Sequence, residues 1–190
     1  MIAMQSNGGK STEEQQYSNS LIMQFTETTD PFYIRPLLSI DRAWAADLVS
    51  LYFGSPCVVS RGILHESGLM PGLVAEREGK RVGLLQYNIK EKQCEVVTLI
   101  AVRRRRGIGH RLVKALFPIA HAADCERLWA VTTINNRPAR EFFQSLGWQQ
   151  VAVRRRLSPV WWEFPKNDAT SEFEIEYELL FDETGVKYLW

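Results

Sequence analysis

The sequence predicts a mixed α/β fold of the α+β kind, and three observations carry that reading. Residues 72–77 and 81–88 are apolar, β-rich runs that flank Glu78-Gly79, which is a hairpin signal. Residues 94–102 form an apolar run that enters a basic turn interrupted by Gly107 and Gly109. That turn opens an amphipathic helix with Ile108, Leu112, Ala115, Leu116 and Ile119 on one face. Residues 127–133 are a second apolar strand, and another helix signal follows them. There Asn136 reads as the N-cap, Pro138 as a first-turn residue and Gly147 as the C′ residue.

The remaining elements fall around these three. Residues 32–37 predict a first strand. Ser39 or Asp41 caps a helix carrying Trp44, Ala45, Leu48, Val49 and Tyr52, which Gly54 ends. Residues 55–71 read as a less regular segment. The 94–102 run is apolar nearly throughout, which suits a central strand. Residues 148–156 and 171–181 complete the strands. Between them lies a loop at 157–170 with Pro159, Trp161, Trp162 and Pro165. The two tryptophans serve either to pack the last strands or as an aromatic wall for a cationic amine. Residues 1–30 are rich in Gln, Ser, Thr and Glu without periodicity and read as a disordered extension. Residues 31–182 then form the domain and 183–190 a tail.

Composition excludes several classes. At 190 residues, 45% hydrophobic and 24% charged, the chain fits one ordinary globular domain. A net charge of +1 exerts no global pull on nucleic acid. The basic residues are local, at 103–106 and 154–156, and the second cluster reads as a solvated strand end. Cys57, Cys94 and Cys125 are odd in number and far apart, which points to a reducing, cytoplasmic setting rather than a disulfide framework. No clustered His/Cys set suggests a metal, and no stretch reaches membrane-spanning length. There is no Gly-x-Ser-x-Gly setting for a hydrolase nucleophile.

The turn at 103–111 reads as a phosphate site. The first N–H groups of a helix lack intrahelical partners and carry the positive end of its dipole. Glycines there let a phosphate approach the backbone, and arginine forks match its oxygens. A dinucleotide fingerprint would need glycine where Leu112 stands. A P-loop would need Gly-Lys followed by Ser or Thr, which the turn lacks. The bland alternative is a solvated basic turn or a nucleic-acid patch.

The spacing Arg104-x-x-Gly107-x-Gly109 after a strand resembles the pyrophosphate loop of the GNAT superfamily of acyl-CoA-dependent N-acyltransferases. The unit Asn136-x-x-Ala139-x-x-Phe142-Phe143-x-x-x-Gly147-Trp148 resembles the family's strand–Asn-x-x-Ala-x-x-Phe-Tyr-x-x-x-Gly-Phe element. The two stand in the family's order, and the resemblance covers roughly residues 32–181. It implies a mixed, mostly antiparallel central sheet with helices on both faces. It also implies acetyl-CoA as co-substrate, with no metal. Leu99, Ile100 and Ala101 would run beside the pantetheine. Arg104, Arg105, Arg106, Gly107, Ile108, Gly109, His110 and Arg111 would hold the pyrophosphate. Asn136 and Phe143 would flank the thioester end. The partner is an amine acceptor, either a small molecule or a protein amine. No nucleic acid or membrane is expected, and a homodimer is left open.

Acyl transfer to an amine needs a neutral nitrogen, yet a lysine-like amine has a pKa near ~10.4. A carboxylate in a partly apolar site can take that proton. Glu95 is the acid inside the 94–102 strand, and the resemblance gives a glutamate of that strand the role of base. The alternative for Glu95 is a solvent-facing residue at a strand edge, after Lys90, Glu91, Lys92 and Gln93. A backbone N–H near Leu99 or Ile100 would face the oxyanion. His110 is a candidate phosphate contact, while His65 and His121 read as structural or exposed.

Two departures stand out. No Val-x-Pro-x-x segment precedes Arg104, so the loop is short. Phe143 occupies the family's tyrosine position and cannot protonate the departing thiolate. A thiol with a pKa near ~8.5 can leave unaided, and Tyr87, His110 or water can substitute. Phe143 also motivates a rival reading, a protein that binds or senses acyl-CoA without turnover.

Overall fold

The computed structural model describes residues 32–155 and 173–181. The loop at 157–170 with its tryptophans, the segment 1–30 and the tail 183–190 lie outside them.

The chain begins with β1 (Tyr33–Pro36), a 3-10 turn (Ser39–Asp41) and helix α1 (Arg42–Phe53). Two short strands follow, β2 (Cys57–Ser60) and β3 (Ile63–Glu66), then a second 3-10 turn (Ser67–Leu69). Strands β4 (Gly72–Arg77), β5 (Lys80–Lys90) and β6 (Gln93–Ala101) lead into α2 (Ile108–Ala122). The rest is β7 (Arg127–Thr133), α3 (Arg137–Ser145), β8 (Gln149–Arg155) and β9 (Phe173–Leu180).

Among the described residues, seven strands form one sheet in the order β1-β4-β5-β6-β7-β9-β8. Every pairing is antiparallel except β6–β7, which is parallel. Alternation along the strands sorts side chains to two faces. Leu73, Ala75, Leu85, Cys94, Val96, Leu128 and Ala130 face α2, whose Leu112, Leu116 and Ala120 are fully buried. Leu84 and Ile100 face α1 through Ala45, Leu48 and Val49. Helices therefore cover both faces, as the fold class requires. Burying each leucine of α2 is worth about 1.5–3 kcal/mol.

Gly83 on β5 sets the start of α2. A Cβ there would lie 2.5 Å from Ile108 Cγ2 and 3.1 Å from Leu112 Cδ1. The missing side chain lets the first turn of α2 settle directly on the sheet.

The segment 55–71 departs from its expectation. It holds the hairpin β2–β3, with Cys57 opposite Glu66 and Ser60 opposite Ile63. Arg61 and Gly62 both have positive φ (48° and 77°), which gives the right twist for a two-residue turn. Asp41 departs too: it stands at the N-cap of α1 but caps nothing there. Its carboxylate is fully buried and accepts from Leu38 N–H at 2.9 Å, Arg35 at 2.5 Å and Arg81 at 2.7 Å. Arg35 above all holds the Asp41 carboxyl down at about 2.

Helix α3 follows its sequence signals closely. Asn136 Oδ1 accepts from Ala139 N–H, and Pro138 lies in the first turn. At the far end Gly147 takes φ 76°. Its N–H donates to Gln144 O, and Trp148 N–H donates to Phe143 O. That is the Schellman pattern, completed by the Phe143–Trp148 ring contact at 5.0 Å. Among the described residues no helix is long and apolar enough to cross a membrane.

Candidate active site

The parallel β6–β7 ladder is short. Its pairs are Gln93–Arg127, Cys94–Leu128 and Glu95–Trp129, and past them the strands part. A bulge helps to separate them. On β5, Gln86 pairs with Thr98 and Tyr87 with Val96, so Val97 is the extra residue on β6. A bulge bends its strand and raises the local twist. Beyond it, backbone groups on the β7 side of β6 have no neighbouring strand among the described residues.

The parted strands open a cleft of about 670 Å³. Val97, Leu99, Ile100 and Ala101 line it from β6, and Val131 and Thr132 from β7. Asn136, Phe142 and Phe143 of the α3 region close one side, and Tyr52 and Phe53 of α1 add apolar surface. The size suits a small-molecule ligand, and the walls combine apolar side chains with bare backbone. At the mouth stand Arg103, Arg104 and Arg105 and the N-terminus of α2.

That N-terminus is open. Gly107 sits at the N-cap with φ 76°, a left-handed conformation that glycine adopts freely. The first N–H bonded back into the turn is that of Arg111, to Gly107 O at 3.1 Å. The N–H groups of Ile108, Gly109 and His110 precede it and carry the positive end of the helix dipole. A Cβ on Gly107 would meet nothing within 4 Å among the described residues. An anion at this place meets three backbone donors and arginine side chains together.

Most residues expected from the sequence come together here. Leu99, Ile100, Ala101, Arg104, Arg105, Gly107, Ile108, Gly109, His110, Asn136 and Phe143 all line the cleft. Arg106 and Arg111 do not. Arg111 instead stacks its guanidinium 4.9 Å from the Phe32 ring, beside β1. Tyr52, Phe53, Val131 and Thr132 also line the cleft, and no local motif marks them.

Glu95 does not line the cleft. It stands at the last β6–β7 pair, where the strands begin to part, on the sheet face opposite α2. It is 3% exposed, which rules out the solvent-facing alternative. Burial raises its carboxyl pKa, while Ser60 and Arg61 pull the other way. The hairpin β2–β3 supplies its neighbours. His65 Nε2 lies 3.7 Å from Glu95 Oε2. Arg61 ion-pairs with Glu176 and lies 4.3 Å above the Trp129 ring. Arg127 reaches Glu176 at 3.3 Å and Glu178 at 2.5 Å. His65 thus lies against Glu95 rather than standing apart. Its partner lies far along the chain, so no local motif marks it.

A sheet that splits between its two parallel strands, with a helix N-terminus open to an anion at the split, is the arrangement of an acyltransferase fold. Residues 40–148 match the acetyltransferase (GNAT) family, and the chain belongs to it. It is 29% identical over 157 residues to the uncharacterized protein YdhI of Bacillus subtilis (strain 168), covering 78% of this chain and 98% of that one. Its fold resembles the ribosomal-protein-S18-alanine N-acetyltransferase of Escherichia coli, with TM-score 0.60 at 15% identity, covering 84% of this chain and 99% of that one. It also resembles yncA of Salmonella typhimurium, a putative acetyltransferase solved with acetyl-CoA. That match has TM-score 0.60 at 14% identity and covers 80% of this chain and 95% of that one.

Proposed function

We propose that this protein is a cytoplasmic N-acetyltransferase that moves an acetyl group from acetyl-CoA to a primary amine by direct attack within a ternary complex. The observation that carries the reading is the split between β6 and β7. It carries a cationic, donor-rich mouth at Arg103–Arg105 and α2, and a buried carboxylate, Glu95, stands at the last strand pair before the split. The co-substrate enters along one side of the split, and the amine meets it from the face that carries Glu95. That acetyl-CoA accompanies a similar fold in yncA supports the donor.

The residues divide the work. The N–H groups of Ile108, Gly109 and His110, with Arg104 and Arg105, hold the pyrophosphate. The bare backbone of Leu99 and Ile100 runs beside the pantetheine amides. Glu95 takes a proton from the acceptor ammonium, and its raised pKa brings it nearer operating pH. The freed nitrogen attacks the thioester carbonyl carbon. A backbone N–H of Leu99 or Ile100 faces the oxygen as it gains charge. The C–S bond then breaks, the sulfur leaves as thiolate, and the second proton on nitrogen is lost to solvent. Phe143 gives that thiolate no donor, and a thiol with a pKa near ~8.5 tolerates the lack.

The test is a panel of amines with acetyl-CoA, following free thiol release. Turnover is expected with at least one amine. Glu95→Gln should lower kcat about 10²–10⁴-fold at neutral pH, with much of the loss recovered at high pH, where more amine is already neutral. Full activity of Glu95→Gln across pH would remove Glu95 as base. A second reading rests on Phe143, which lines the cleft without a hydroxyl: a protein that binds acyl-CoA without turning it over. Tight acetyl-CoA binding with no thiol release from any amine would establish that reading instead.

A further inference from the structure

Among the described residues, four buried side-chain atoms without a hydrogen-bond partner lie on the sheet face opposite α2. They are Arg61 Nε and His65 Nε2 from the hairpin, and Glu95 Oε1 and Thr98 Oγ1 from β6. Buried polar atoms are overwhelmingly satisfied in folded proteins, so such a group marks a place built to work on something else. Within it, His65 and Glu95 stand closest to a productive contact. Both are nine-tenths or more buried, and Nε2 lies 3.7 Å from Oε2. That is just beyond hydrogen-bond length, and such bonds in ligand-free sites often tighten only when substrate arrives.

We propose that His65 is a positioning residue for the transfer: its Nε2–H donates to Oε2 of Glu95 and fixes the carboxylate with Oε1 turned free toward the acceptor amine. The proposal rests on the reading of Glu95 as base. The groups that act on Glu95 come from every element packed there. Ser60 and Arg61 of the hairpin favour its charged form, while Glu174 and Glu176 of β9 oppose it. Arg61 and Glu176 are paired with each other and partly cancel. Burial keeps the imidazole neutral, so it contributes a donor without adding a charge. A donor to the charged form holds down a carboxyl whose burial pushes it up. Removing that donor must therefore move the acidic limb of activity to higher pH.

The experiment has two arms, both on the full chain. In the first, kcat and KM are measured against pH with acetyl-CoA and the best amine of the panel. His65→Leu should raise the apparent pKa of the acidic limb by about one pH unit and lower kcat about tenfold at neutral pH. Its KM for acetyl-CoA should stay as in the wild type. His65→Gln places an N–H near Nε2 and should restore most of both. An unmoved limb in His65→Leu, or a His65→Gln variant no better than it, would overturn the proposal. The second arm needs neither an acceptor nor a stable variant. Nitrogen NMR of the wild type should show the His65 proton on Nε2, distinct from His110 and His121. A proton on Nδ1 with Nε2 bare would overturn the proposal even if turnover is found. Absence of turnover with every amine would strike the base reading, and the tautomer would still decide the His65–Glu95 contact.

Discussion

Gly109 lies against the ring of Phe142 so closely that a Cβ would come within 3.1 Å of ring carbon Cε2. The two glycines of the loop therefore do different work. Gly109 lets α3 pack against the start of α2, whereas Gly107 supplies a left-handed turn under open space.

Substitution should separate the two. Gly109→Val should displace Phe142 and destabilise the fold by about 1–3 kcal/mol, read from urea unfolding. Gly107→Val should cost about 1–2 kcal/mol through its left-handed backbone. It should also place a side chain in the space above the helix start. Its acetyl-CoA affinity should fall at least tenfold in a protein that remains folded. Unchanged calorimetric affinity in folded Gly107→Val would place the pyrophosphate elsewhere.

Asp41 predicts an acid-sensitive joint between β1, β5 and α1. Its folded pKa, about 2, lies below the ordinary carboxylate value near ~3.9. The stability it contributes is thus present above pH ~4 and is lost as pH falls toward 2. Asp41→Asn leaves Arg35 and Arg81 facing a neutral buried partner and should cost about 3 kcal/mol at pH 7. The difference from wild type should shrink as pH falls toward 2. A constant difference across that range would contradict the pairing.

Glu95 predicts the opposite sign. Its folded pKa is raised by burial, so the folded state binds its proton more readily than the unfolded chain does. The favourable contribution is present at low pH and is lost as pH rises through the raised value. Glu95→Gln should therefore melt higher than wild type at pH 8 and nearly level with it at pH 4, while losing activity. Such exchange of stability for function is typical of buried catalytic charges. A lower melting temperature for Glu95→Gln at pH 8 would show that the carboxylate is a structural partner.

Cys94 is fully buried, and burial pushes its thiol up to about 12. It should resist a thiol reagent at pH 8 until the protein unfolds, whereas half-buried Cys57 reacts in the native state. Mass spectrometry of labelled peptides checks this. Equal labelling of the two would contradict the packing of β6.

The fold was legible where local signals and tertiary packing agree. Strand β7 spans 127–133 as expected, and α3 lies between Asn136 and Gly147, which flank it as read, because caps are chemistry of adjacent residues. The hairpin β2–β3 was not legible. Its strands are four residues each, Ile63 and Leu64 are exposed, and the turn uses Arg61 where asparagine or glycine is the usual signal. In the site, the cleft-lining residues near the loop were readable because strand, turn and helix are contiguous. Arg106 and Arg111 were grouped with them by sequence alone, and neither lines the cleft; Arg111 packs on Phe32 instead. His65 and Arg61 escaped because their partners, Glu95 and Glu176, lie far along the chain. Only the folded sheet brings them together.

Titration of acetyl-CoA into ¹⁵N-labelled protein, followed by amide chemical shifts, locates the bound co-substrate. Saturable changes are expected, largest at Ile108, Gly109 and His110 and along residues 97–101, with little change at β1 or at the β8 edge. No saturable change, or changes centred away from the β6–β7 split, would contradict that placement.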